Sequence, residues 1–154
     1  MSEAKATTVE VRLPSRLGYE KVAMSTAAAV AQLMGFGKDR IEDLKTAVAE
    51  ACSNAIEHGN KLNEARSVGV TLSAGNNELE VKVVDSGKGV KSLPPRPDID
   101  LKMHGEQDTR GMGMFLIQAL VDEAEWVAGD NGKNSYVRLV IRLDEAQDEE
   151  AKAS

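Results

Sequence analysis

Two periodicities alternate along this chain. Val9, Val11 and Leu13 occupy every second position with Glu10 and Arg12 between them, which predicts a half-buried strand ended by Pro14. Tyr19, Val22, Ala23, Thr26, Val30, Leu33 and Met34 then keep a helical step. They predict a helix from an N-cap at Ser15 to about Met34, stopped by Gly35 and Gly37. A second helical run, opened by Asp39, places Ile41, Leu44, Val48, Cys52 and Ala55 on one stripe and stops at Gly59 and Asn60. Period two returns in Val68, Val70, Leu72 and again in Leu79, Val81, Val83, a hairpin turning at Gly75-Asn76-Asn77. Residues 91–110, rich in proline and charge, show little periodicity and read as a long loop of the kind that serves as a lid. Gly111-Met112-Gly113 leads into a short apolar helix, MFLIQALVDE. Two closing strands, 125–129 and 136–143, flank a turn at Asp130-Asn131-Gly132.

Composition narrows the class. A chain of 154 residues, 42% hydrophobic and 29% charged, suits one globular domain with a real core and is too short for two. A net charge of −6 with no basic cluster argues against nucleic acid as a partner. The single cysteine, Cys52, lies on the apolar stripe, so it reads as a core residue and leaves no disulfide within one chain. MSEAKATTVE lacks the apolar segment of a secretion signal, and no apolar run approaches the ~18 residues of a membrane span. These features predict a cytoplasmic protein that does not engage membranes. Residues 1–7 are expected to be a flexible N-terminus, 8–143 the folded domain, and 144–154 an acidic disordered tail.

The candidate chemistry sits on the second helix and at two glycine pairs. Glu50 and Asn54 are four residues apart, one above the other on a helical face nearly opposite the apolar stripe. Ala47, Ala49, Ala51 and Ser53 are small, so another group can approach the backbone there. A carboxylate accepts a proton from an attacking hydroxyl, and a carboxamide oxygen is a hard ligand suited to Mg²⁺. A solvated helix face is the ordinary alternative for such a pair. Asp85-Ser86-Gly87-Lys88-Gly89 follows the third strand: either a turn, or glycines that admit a flat ligand while Asp85 accepts a hydrogen bond from it. Gly111 and Gly113 offer either a hinge or unhindered N–H groups for phosphate at a helix N-terminus. The dinucleotide fingerprint fails, because GMGMFL has Leu116 at its sixth position and no strand before it, and no P-loop sequence occurs. Two histidines and no second cysteine argue against a zinc site.

In this order, Glu-x-x-x-Asn, Asp-x-Gly-x-Gly, a lid and Gly-x-Gly resemble the GHKL, or Bergerat-fold, ATP-binding domain, from Val9 to Leu143. EACSNAIEHG, the short lid and TRGMGMFLIQALVDE look most like bacterial anti-sigma-factor serine/threonine kinases of the RsbW type. The resemblance implies an α+β fold: a two-layer sandwich whose mixed, mostly antiparallel sheet is covered on one face by about three helices. It implies ATP and Mg²⁺ as cofactors. Glu50 would be the general base and Asn54 the Mg²⁺ ligand. Asp85 would bind the adenine amino group, with Gly87 and Gly89 lining the base pocket. Gly111 and Gly113 would meet the phosphates with Thr109 beside them, and Arg110 would approach the γ-phosphate. A Thr commonly supports the adenine-binding Asp in this family; here Ser135 stands nearest. His58 has two readings, a phosphate contact or a partner for the helix C-terminus.

The activity so implied is transfer of the ATP γ-phosphate to a serine of a STAS-domain anti-sigma-factor antagonist. The same chain would sequester a sigma factor and form a homodimer. Two alternatives stay open: a switch-type stress-signalling kinase acting on STAS proteins, and a nucleotide-gated anti-sigma binding module without kinase activity. A sensor histidine kinase is disfavoured by the lack of a helical dimerisation and phospho-acceptor segment, and a gyrase- or chaperone-type ATPase by the lack of an extra domain.

Overall fold

The computed structural model describes residues 6–85, 109–128 and 135–143, with the backbone alone for 109–112. The elements are β1 (Thr7–Pro14), α1 (Glu20–Met34), α2 (Lys38–Asn54) with a π-helical turn (Ala55–Gly59), β2 (Ser67–Ala74) and β3 (Glu78–Val84). After them come α3 (Thr109–Leu120), β4 (Glu123–Val127) and β5 (Tyr136–Arg142). The strands form one sheet in the order β1-β2-β3-β5-β4. Every pairing is antiparallel, so the mixed character expected of the sheet does not appear among the described residues.

Alternation decides which face is dry. Val68, Val70 and Leu72 of β2, Leu79, Val81 and Val83 of β3, and Val137, Leu139 and Ile141 of β5 all bury on the helix side. The opposite face carries cross-strand ion pairs, with Arg138 Nε 2.6 Å from Glu80 and Arg142 Nε 3.2 Å from Glu78. α2 is the central helix, packed against α1 on one flank and α3 on the other. Ala23, Ala27 and Ala31 on α1 and Ala47 and Ala51 on α2 are wholly buried, so both helices press small side chains into the core.

Several boundaries differ from the sequence expectation, each for a visible reason. Ser15 does not cap α1, which begins at Glu20. It is buried instead, with Oγ donating to the Arg66 carbonyl at 2.7 Å and accepting from Asn60 Nδ2 at 2.8 Å. Gly37, not Asp39, is the N-cap of α2, and Asp39 lies in the first turn. Gly35 ends α1 as expected, in the left-handed region at φ 97°, where glycine carries no Cβ penalty. The last hairpin forms, but its first strand is Glu123–Val127 and β5 inserts between β3 and β4. The expected turn at residues 130–132, the lid, the N-terminal five residues and the acidic tail lie outside the described residues. No described helix is long and apolar enough to cross a membrane.

Candidate functional site

A cleft opens between the sheet and the helices α2 and α3. Its floor follows from strand register. Val83 of β3 stands opposite Val137 of β5, which stands opposite Trp126 of β4, so three neighbouring strands supply one apolar rung. One pleat further on the same face come Asp85 and Ser135, two residues beyond Val83 and two before Val137. The Asp85 N–H donates to the Ser135 carbonyl at 3.1 Å and closes that polar rung. Both residues are buried, Asp85 to 8% exposure. A carboxylate held this deep stands, with Ser135, next to the apolar rung of the slot.

The wall over Asp85 is the end of α2. Beyond Asn54 the helix widens into the π-helical turn, with the Asn60 N–H donating to the Ala55 carbonyl at 2.8 Å. Such turns are rare, and they are frequent at functional sites. This one brings Gly59 directly onto the Asp85 carboxylate: a Cβ at position 59 would lie 2.5 Å from Asp85 Cγ. The side chain of Asn60 turns inward, donating to Ser15 Oγ at 2.8 Å and the Ser67 carbonyl at 3.1 Å, which ties the turn to β2.

Asn54 also lines the cleft, and Glu50 lies one turn before it on the same face of α2. Their face of α2 is half-buried under α3 rather than solvated. A Cβ on Gly113 would stand 2.6 Å from Glu50 Oε2 and 3.7 Å from Asn54 Nδ2. Gly113 thus lies inside α3, on top of the pair, where the sequence reading had the Gly-x-Gly pair ahead of the helix. A glycine within a helix costs roughly 0.5–1 kcal/mol relative to alanine, and this close approach is its physical reason. Asn54 Nδ2 is buried without a hydrogen-bond partner among the described residues. Such an atom is uncommon in a folded protein, and this one belongs to a residue that lines the cleft.

A family model for the histidine kinase-like ATPase domain matches residues 13–141. The serine-protein kinase RsbW of Bacillus licheniformis is 32% identical over 127 residues, covering 77% of this chain and 76% of that protein. The namesake from Bacillus cereus (strain AH820) is 27% identical over 146 residues, 92% of this chain and 89% of its own. The chain belongs to the histidine kinase-like ATPase family, in its RsbW-type branch. A solved structure of RsbU and RsbW domains from Mycobacterium tuberculosis shares the fold, with a TM-score of 0.61 at 20% identity. The likeness covers 89% of this chain and 32% of that one.

Of the family's expected site residues, the structure brings Glu50, Asn54 and Gly113 into one contact and Asp85 and Ser135 into another. Thr109, Arg110 and Gly111 fall in the first turn of α3, where only the backbone is described. Gly87 and Gly89 lie outside the described residues. His58 does not line the cleft; its Nε2 sits 3.7 Å from Glu57. Sequence reasoning missed Gly59, Met114 and Trp126, all of which line the cleft. Gly59 had been read as a helix stop, and Met114 and Trp126 as ordinary apolar positions of a helix and a strand. No spacing rule links positions 59 and 85.

Proposed function

We propose that this protein is an ATP-dependent serine/threonine protein kinase whose substrate is a serine of a STAS-domain anti-sigma-factor antagonist, and that it also sequesters a sigma factor. The observation that carries the reading is the packing of Gly113 on Glu50 and Asn54, which joins a potential base to a hard oxygen ligand lining the same cleft as an amino-recognising carboxylate. The names of its relatives support the kinase assignment.

Adenine enters toward Asp85, whose carboxylate accepts a hydrogen bond from the exocyclic amino group while the Val83–Val137–Trp126 rung contacts the ring. Gly87 and Gly89 line the base, and Ser135 supports Asp85 through its carbonyl. The phosphates run toward the start of α3, where Thr109 and Gly111 present backbone N–H groups and the positive end of the helix dipole. The donor set fits Mg²⁺, which takes one or two protein oxygens and fills its shell with phosphate and water. Asn54 would hold it through Oδ1, the hard oxygen of a carboxamide that lines the cleft. When bound, the ion neutralises phosphate charge.

Glu50 takes the proton of the incoming serine hydroxyl. The serine oxygen bonds to the γ-phosphorus as the bond to the β,γ-bridging oxygen breaks, and ADP leaves. Arg110 stabilises the charge on the transferring group. The working form is a cytoplasmic homodimer. The test is a mixture of the purified chain, a STAS-domain protein and γ-labelled Mg·ATP. Label on a serine of the STAS protein is expected; binding of both components with no transfer would contradict the kinase reading.

A further inference from the structure

A carboxylate that accepts from an exocyclic amino group separates adenine from guanine and uracil at that position, but not from cytosine, which also carries an amino donor. Asp85 therefore selects a chemical group and leaves ring size undetermined. Something else in the cleft must distinguish a two-ring from a one-ring base.

The neighbouring rung has the required character. Val83 and Val137 are small and wholly or nearly buried, and Trp126 ends the row on β4, the edge strand of the sheet. It is the only tryptophan in the chain. At 9% exposure, it belongs to the core cluster and also lines the cleft. To the same lining α2 supplies Ala51 and Ala55, whose side chains are small. The indole is a large rigid apolar surface, and such a surface rewards the larger of two flat ligands.

We propose that Trp126 is a base-recognition residue: it contacts the purine ring and sets the preference for ATP over CTP, while Asp85 reads the amino group. This rests on the reading of the cleft as an ATP site. The two rungs divide the task, the polar one sensing hydrogen bonding and the apolar one sensing ring size.

The experiment uses the full chain and its Trp126→Leu and Trp126→Phe variants. ATP and CTP affinities are measured by calorimetry, tryptophan emission is followed during ATP titration, and Tm is recorded for each protein. Wild-type emission is expected to change saturably, with a midpoint matching the calorimetric Kd. Trp126→Leu is expected to lower the ATP-to-CTP affinity ratio roughly tenfold, and Trp126→Phe to retain most of it. A merely structural tryptophan would lower Tm in Trp126→Leu and leave the ratio unchanged, which would overturn the proposal. Should Trp126→Leu fail to fold, emission of the wild-type protein unmoved by saturating ATP would overturn it equally. Loss is distinguishable from failure of the ATP reading itself, because that failure appears as no calorimetric ATP binding by the wild type.

Discussion

Gly113 and Asp85 each make a sharp demand at the scale of one side chain. Replacing Gly113 with alanine puts a methyl group 2.6 Å from Glu50 Oε2, so the carboxylate must swing away. The backbone itself gains, since alanine favours a helix over glycine by roughly 0.8–1 kcal/mol. Gly113→Ala should therefore leave the unfolding midpoint close to that of the wild type while phosphotransfer falls at least about tenfold. A variant with full transfer activity would show that Glu50 does not need its present position. Asp85→Asn keeps the shape of the side chain but replaces an acceptor pair with one acceptor and one donor. Hydrogen bonds to charged groups contribute about 1.5–3 kcal/mol, so ATP should bind roughly ten- to a hundredfold more weakly by calorimetry. An unchanged Kd would put adenine recognition elsewhere.

Among the elements, the π-helical turn after α2 does the most to shape the site, because it carries Gly59 onto Asp85 and points Asn60 into the interior. Asn60 is 1% exposed and holds Ser15 and β2 together, and the chain leaves it through two consecutive left-handed residues, Lys61 at φ 53° and Leu62 at φ 59°. Such conformations are uncommon for non-glycine residues and persist where the surroundings enforce them. Asn60→Ala removes two hydrogen bonds and leaves the Ser67 carbonyl short of a donor. Its expected cost is about 1–3 kcal/mol, read from urea unfolding at unchanged m-value. An unaltered midpoint would mean that the turn is held by its backbone alone. This turn also shows where sequence reading stops. The apolar stripe on α2 was legible because helical period reports which face is buried, and the three motifs were legible because their order is distinctive. Period says nothing about what covers the other face, so the descent of α3 onto Glu50 and Asn54 could not be read from it. Ser15 looked like a cap because serine commonly caps helices, and only the fold brings Asn60 and Arg66 within its reach.

The whole molecule is a sheet with one wet and one dry face, and its helical layer is tight enough to seal Cys52 completely. Burial, with a smaller contribution from the negative charge of Glu20, pushes the Cys52 thiol up to about 12 from an ordinary 9.0. The folded protein thus holds the proton while the unfolded chain releases it, so this group's contribution to stability is intact below about pH 9 and is lost as pH rises toward about 12. At pH 8 a thiol reagent should label Cys52 only after denaturant is added. Rapid labelling of the native protein would contradict the sealed core. The same tight layer holds Glu50 against α3, and the central claim is that this carboxylate is the base of a phosphotransfer reaction. The most direct measurement runs wild type and Glu50→Gln side by side with γ-labelled Mg·ATP in a lysate of the source organism, with ATP binding checked by calorimetry. The account predicts equal ATP binding, a labelled protein with the wild type, and transfer lower by about 10²–10⁴-fold with Glu50→Gln. Equal labelling by both proteins would contradict it.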